Sequence, residues 1–245
     1  MPSSLAFPGS FWISAGEAGP AEPGNTVGQA FFEQGITVFR HGPWFVTPFF
    51  NASLVADSRG YEWNDRNPVS VGVKLQRRTP GGVIYGGGGI MIDRNPATGQ
   101  RRHASLFSGY WTGWQLDTSS HVGATPFGLP GSLNLVSGLL TGRDPDNWVS
   151  SGTVQQGVRV YRHYGIAAVP YASVQASIDT KGRPWDNRAA ADVGFKAVRA
   201  VGGAVIEAGV AHRIQRQFKS RQQTSEPVMF VNLWVGWNPS ATLSR

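Results

Sequence analysis

The sequence predicts an all-β protein: a closed, antiparallel, up-and-down transmembrane β-barrel of about twelve strands, built from two tandem six-stranded repeats. Three observations point there. Apolar residues recur at every second position through most of the chain, the period of a strand with one apolar face. The chain repeats itself at an offset of 122 residues. Charged residues make up only 15% of the 245, against 32 Gly, nine Trp and no Cys, a balance suited to a β-rich protein whose outer surface does not face water everywhere.

The repeat is read residue against residue. Residues 57–66, DSRGYEWNDR, and 179–188, DTKGRPWDNR, both spell Asp-x-x-Gly-x-x-Trp-x-x-Arg. At the same offset Pro8-Gly9-Ser10 meets Pro130-Gly131-Ser132, Asn25 meets Asn147, Gln34-Gly35 meets Gln156-Gly157, and Arg40-His41 meets Arg162-His163. Lys74 and Arg77 meet Lys196 and Arg199, and after one inserted residue Trp111-x-Gly113-Trp114 meets Trp234-x-Gly236-Trp237. The period is far too long for a solenoid unit, so each copy is a substantial half of one structure. The organisation is therefore a single barrel over 1–245, with repeat 1 at about 8–115 and repeat 2 at about 130–238.

The strands follow in order. In 44–57 the even positions Trp44, Val46, Phe50, Leu54 and Ala56 oppose Thr47, Asn51, Ser53 and Asp57, and the twin segment 166–179 repeats the pattern. Val69, Val71, Val73 and Leu75 alternate with Ser70, Gly72, Lys74 and Gln76. Residues 189–214 are Ala-rich and pass for a helix on propensity. Their twin carries prolines and a glycine run that a helix would not tolerate, so both segments are read as strands. The predicted set is 10–16, 27–41, 44–57, 69–78, 83–93 and 103–115, then 132–140, 149–163, 165–179, 191–200, 203–214 and 227–237. Tight turns such as His41-Gly42-Pro43 alternate with longer polar loops, the mark of a meander with two distinct ends. Gly86–Gly89 falls mid-strand and reads as a bulge or a close-approach device.

Geometry gives the apolar row a direction. Twelve strands closed into one barrel leave a lumen too wide for side chains to fill, so the apolar face looks outward to hydrocarbon and the polar, Gly-rich face lines water. Trp12, Trp44, Trp111, Trp114, Trp234 and Trp237 near strand ends read as interfacial girdle residues. The alternative is a soluble pair of six-stranded barrels or sandwiches, carbohydrate-binding or structural.

The Gln-Gly opening a strand, the D-x-x-G-x-x-W-N segment and the closing W-x-G-W resemble barrels at the C-termini of bacterial exopolysaccharide-secretion and phage-adsorption outer-membrane proteins. The resemblance implies a passage or surface-receptor role and no catalytic residue.

Candidate sites follow from the repeat. In the loop motif, Trp63 and Trp185 could stack on a sugar while Asp57, Arg66, Asp179 and Arg188 bind hydroxyls or carboxylates; the plainer reading is a loop clasp with Asp57–Arg66 and Asp179–Arg188 pairing. Lys74, Arg77, Arg159, Arg162, Lys196 and Arg199 are candidate lumen cations that would concentrate an anionic solute or polymer. The competing reading gives them internal salt bridges to Glu33, Glu207 and Asp192.

Other classes are disfavoured. His41, His103, His121, His163 and His212 lack ligand spacing, so no metal or other cofactor is expected. No G-x-S-x-G or Ser/His/acid cluster suggests an enzyme. The +7 charge comes from scattered residues, 18 Arg against four Lys, so nucleic acid is not an expected partner. No 18-residue apolar run supplies a transmembrane helix. The first residues show no basic or apolar leader, so either a secretion signal is expected to have been removed or the chain is an excised domain. The expected protein is a bacterial outer-membrane channel, export pore or structural anchor. Its expected partners are membrane lipid, an anionic solute or polysaccharide, and a periplasmic or surface protein complex.

Overall fold

The computed structural model describes residues 4–17, 24–60, 67–95, 99–117, 128–139, 146–183, 186–238 and 240–242. The strands are β1 (Ser4–Ala6), β2 (Gly9–Glu17), β3 (Thr26–Gly35), β4 (Phe39–His41), β5 (Trp44–Asp57), β6 (Val69–Thr79), β7 (Gly82–Asn95) and β8 (Gly99–Asp117). Then follow β9 (Gly128–Leu139), β10 (Val149–Gly157), β11 (Tyr161–His163), β12 (Ile166–Asp179), β13 (Arg188–Val201), β14 (Ala204–Gln217), β15 (Gln223–Trp237) and β16 (Ser240–Thr242).

Each wall strand pairs antiparallel with its chain neighbours, β10 pairs with β12, and β15 returns to β2 with Trp237 opposite Gly9, so twelve strands close a ring. Closure leaves no edge strand in the wall. The halves do not separate into two soluble sheets, because β8–β9 and β15–β2 are continuous ladders. Arg188–Val201 and Ala204–Gln217 are strands despite their alanines. The predicted strands at 27–41 and 149–163 are each interrupted. Gly35 and Thr37 donate backbone N–H groups to Pro8 and Ala6, while Ile36 and Val38 still donate to Pro48 and Val46 of β5, so the regular ladder is disturbed before β4 without the chain leaving β5. Arg159 donates likewise to Gly128 before β11. Short β1 and β16 pair with each other at the short-turn end.

The apolar row faces outward. Val71, Leu54, Ile206 and Val193 are 52%, 49%, 45% and 67% exposed, whereas Thr47, Phe49, Ser70 and Lys74 on the opposite face are buried. The wall is one layer thick, oily outside, with an inner face that mixes polar side chains with a small apolar cluster of Tyr171, Ala211 and Val228. Its height matches a bilayer. Arg77 pairs with Ile84 near the short turns, and Arg94 lies ten residues further along β7. At about 3.4 Å per residue and a tilt near 40°, that interval rises roughly 26 Å, close to the apolar band of an outer-membrane barrel.

Parity corrects part of the expected girdle. Trp44, Trp114 and Trp237 sit on the outer face, but Trp12, Trp111 and Trp234 register with inward residues and look into the barrel at the short-turn end. The glycine run is a close-approach device without a bulge, since Gly86 to Gly89 stay in unbroken register between β6 and β8.

Candidate functional site

The lumen is organised around two lysines on opposite walls, six strands apart in the ring of twelve. Lys74 on β6 is 9% exposed and forms an ion pair with Glu33 of β3; its Nζ lies 5.0 Å from the centre of the Phe49 ring. Lys196 on β13 is 6% exposed. It donates to Glu207 of β14 at 2.7 Å and to Gln155 of β10 at 2.9 Å, with the Tyr171 ring 5.4 Å away. The halves exchange the place of the acid. Glu33 and Gln155 stand 122 positions apart in the sequence, as do Tyr85 and Glu207. Either site gives the ammonium one carboxylate and one aromatic face, which together offset its desolvation.

Glycines let the rings lie along the wall. A Cβ on Gly72 would sit 3.0 Å from Phe49, one on Gly87 3.0 Å from Phe107, and one on Gly209 2.8 Å from Phe230. Phe49 meets Phe107 edge-on at 5.7 Å, and Tyr171 meets Phe230 edge-on at 6.0 Å. Below the long loops, Arg213 holds Asp192 through two hydrogen bonds of 2.8 and 2.9 Å.

Among the predicted lumen cations, Lys74 and Lys196 therefore face inward, each with a carboxylate partner. Arg77 and Arg199 do not: they share the face of Leu75 and Phe195 and point outward, where the Arg77 guanidinium lies 5.3 Å from the Trp44 ring. Arg162, paired with Ala167, stays on the inner face at the short-turn mouth, and Arg159 sits in the break between β10 and β11. Arg40 and Arg78 add to that mouth, flanking the Phe45 ring at 5.3 and 5.0 Å.

At the opposite end the loop motif is held by a residue for which the sequence suggested no role. Asn147, fully buried, donates to Asp179 at 2.6 Å and accepts from Thr180 Oγ1 and the Lys181 N–H. Asn187 also donates to Asp179, which in addition accepts the Arg183 N–H. In the first copy Asn25 accepts from Ser58, whose hydroxyl accepts the Thr26 N–H, and Asp57 accepts the Arg59 N–H. The motif aspartates thus organise their own loops through local bonds. The recurrence of Asn at positions 25 and 147, 122 apart, was the signal available for this role. Arg188 lines a cavity of about 40 Å³ in the lumen wall with Arg213, Gln175 and Gln215. Trp63, Arg66 and Trp185 lie outside the described residues. No group of three or more metal-ligating side chains occurs among the described residues.

No protein-family model and no curated protein sequence matches the chain. Among solved structures it is similar to the β domain of the Bordetella autotransporter BrkA (9% identity, TM-score 0.49, covering 96% of this chain and all of that one). It is also similar to the translocator domain of the autotransporter NalP from Neisseria meningitidis (11% identity, TM-score 0.38, 96% and 89% covered). A third is the outer membrane channel DcaP of Acinetobacter baumannii (7% identity, TM-score 0.36, 96% of each chain covered).

Proposed function

We propose that this chain is a passive channel of the bacterial outer membrane, narrowed midway by two opposed lysine–carboxylate clusters, its halves descended from one duplicated six-stranded ancestor. The carrying observation is that the inward rings of Phe49, Phe107 and Phe230 lie close over glycines of the wall. With strands about 4.8 Å apart and tilted near 40°, twelve of them set the backbone roughly 12 Å from the axis, wider than side chains alone fill. Each deep lysine already has a carboxylate, so the middle of the bore is close to charge-balanced. The arginines at the short-turn mouth draw anions toward that end. The cargo that fits is a small polar or anionic solute, including short acidic sugars that would slide along the inward Trp12, Trp111 and Trp234. Planar-bilayer recording on the purified full chain tests the reading. Discrete conductance steps, with permeability biased weakly toward anions, are expected; a protein that inserts but never conducts overturns it.

A further inference from the structure

We infer that the outer face of β7 and β8, at the long-loop edge of the apolar belt, binds the phosphates of an acylated, phosphorylated glycolipid. Arg94 and Arg102 are exposed on that face, and Arg102 pairs with Ile92, the neighbour of Arg94 two positions along β7. Such diagonal positions lie about 7–8 Å apart, so two guanidiniums can converge on one phosphate. Arg94 donates to Gln100 at 3.2 Å, and among the described residues neither arginine has a carboxylate partner. The second half repeats the arrangement more weakly, with Arg216 opposite Gln223 on β14 and β15.

Position decides the partner. Arg94 sits one step beyond the lipid-facing isoleucines Ile84, Ile90 and Ile92, and Arg102 lies level with the last of them, at the edge of the apolar belt. An outward arginine is costly at the bilayer midplane but costs little near the interface, where a headgroup anion can pair with it. Long loops mark the external side of such barrels. The leaflet there is built from phosphorylated glycolipid in Gram-negative bacteria, so cationic side chains and headgroup are complementary.

The surface below suits the acyl part. A groove of about 540 Å³ runs over the outer face from β7 to β12, between a row containing Ser108, Ser137 and Ser150 and a row containing Tyr110, Leu135 and Gly152. Ser137 and Ser150 satisfy each other at 2.7 Å, and Trp148 donates to Ser137, so these hydroxyls need no water. The equivalent positions of the other half, Val231, Ala15 and Gly28, carry no hydroxyl.

Native mass spectrometry of the detergent-purified full chain tests this, with bis-phosphorylated lipid A as probe and its dephosphorylated form and phosphatidylglycerol as comparisons. Bis-phosphorylated lipid A should be retained at least tenfold better than either. The R94Q/R102Q variant should lose that preference while R77Q, at the opposite edge, keeps it. Unchanged heat-modifiable gel mobility of both variants would show that they still fold. Equal retention of phosphatidylglycerol, displacement by millimolar inorganic phosphate, or an unaffected double variant would each overturn the assignment. A channel that fails to conduct would leave it standing.

Discussion

Trp237 donates its indole N–H to Gln34 Oε1 at 3.0 Å, reaching from the last wall strand over Gly9 to the second. Trp114 does the same to Gln156 at 3.0 Å, over Gly131. The two clasps straddle the two junctions between halves, β15–β2 and β8–β9, at the short-turn end. Each glutamine donates onward to a proline carbonyl, Pro8 or Pro130, so one side chain ties three strands together. Ring closure at the chain termini thus uses the same device as the internal joint.

A side chain on either clasp glycine would overlap the indole above it. Gly9→Leu and Gly131→Leu should each lower the temperature at which the folded band disappears on heated gels, and the double variant should lower it further. Gln34→Leu, which removes the hydrogen bond and leaves the ring, should cost about 1 kcal/mol. Equal melting of Gly9→Leu and the parent protein would mean the ring does not depend on this contact.

Gly86 and Gly87, neighbours on opposite faces of β7, should respond differently. Gly87→Val pushes Phe107 off the wall and crowds the Val73 carbonyl, an overpacking that costs about 1–3 kcal/mol and should reduce conductance. Gly86 has only ordinary contacts at its missing Cβ, the nearest at 3.6 Å, so Gly86→Ala should be neutral in urea unfolding.

Lys74 and Glu33 stabilise each other chiefly by not being left alone. Lys74→Met strands a shielded carboxylate and should destabilise by about 2–3 kcal/mol, whereas Lys74→Met with Glu33→Gln should recover most of that loss. A double-mutant cycle in urea reads the coupling; strict additivity would show that the pair is hydrated and inert.

Asn147→Ala removes the donor to Asp179 and the acceptor for Thr180 and Lys181 at a site without water access. A loss of about 2 kcal/mol is expected. Limited proteolysis should then cut within 180–187 while the barrel remains intact. Unchanged resistance there would assign the loop's order to other contacts.

Much of this was legible in the sequence because a barrel wall is a local pattern. Period two on 44–57 and 166–179 gives both the strands and the oily face, and the prolines of one copy identify the Ala-rich strands of the other. The same parity places Arg77 with Val73 and Leu75, and sets Trp111 opposite Trp114, three residues on, so both corrections follow from counting. What counting could not supply is lateral neighbourhood. Lys74 meets Glu33 across β5, and Asn147 meets Asp179 across the β10–β12 ladder, because strand order and register bring together residues separated by 41 and 32 positions. The breaks after Gly35 and Gly157 were hidden for the same reason, since their backbone groups are taken by residues at the start of each half.

The account depends above all on the apolar row facing hydrocarbon. The chain has no cysteine, so single Cys variants from Val69 to Gln76 can each carry a nitroxide without background. Collision rates with oxygen and with a water-soluble nickel chelate should alternate. Positions 69, 71, 73 and 75 should be oxygen-accessible and shielded from nickel, with 70, 72, 74 and 76 less accessible to oxygen. Nickel-accessible labels at Val71 and Val73, or no alternation at all, would contradict it.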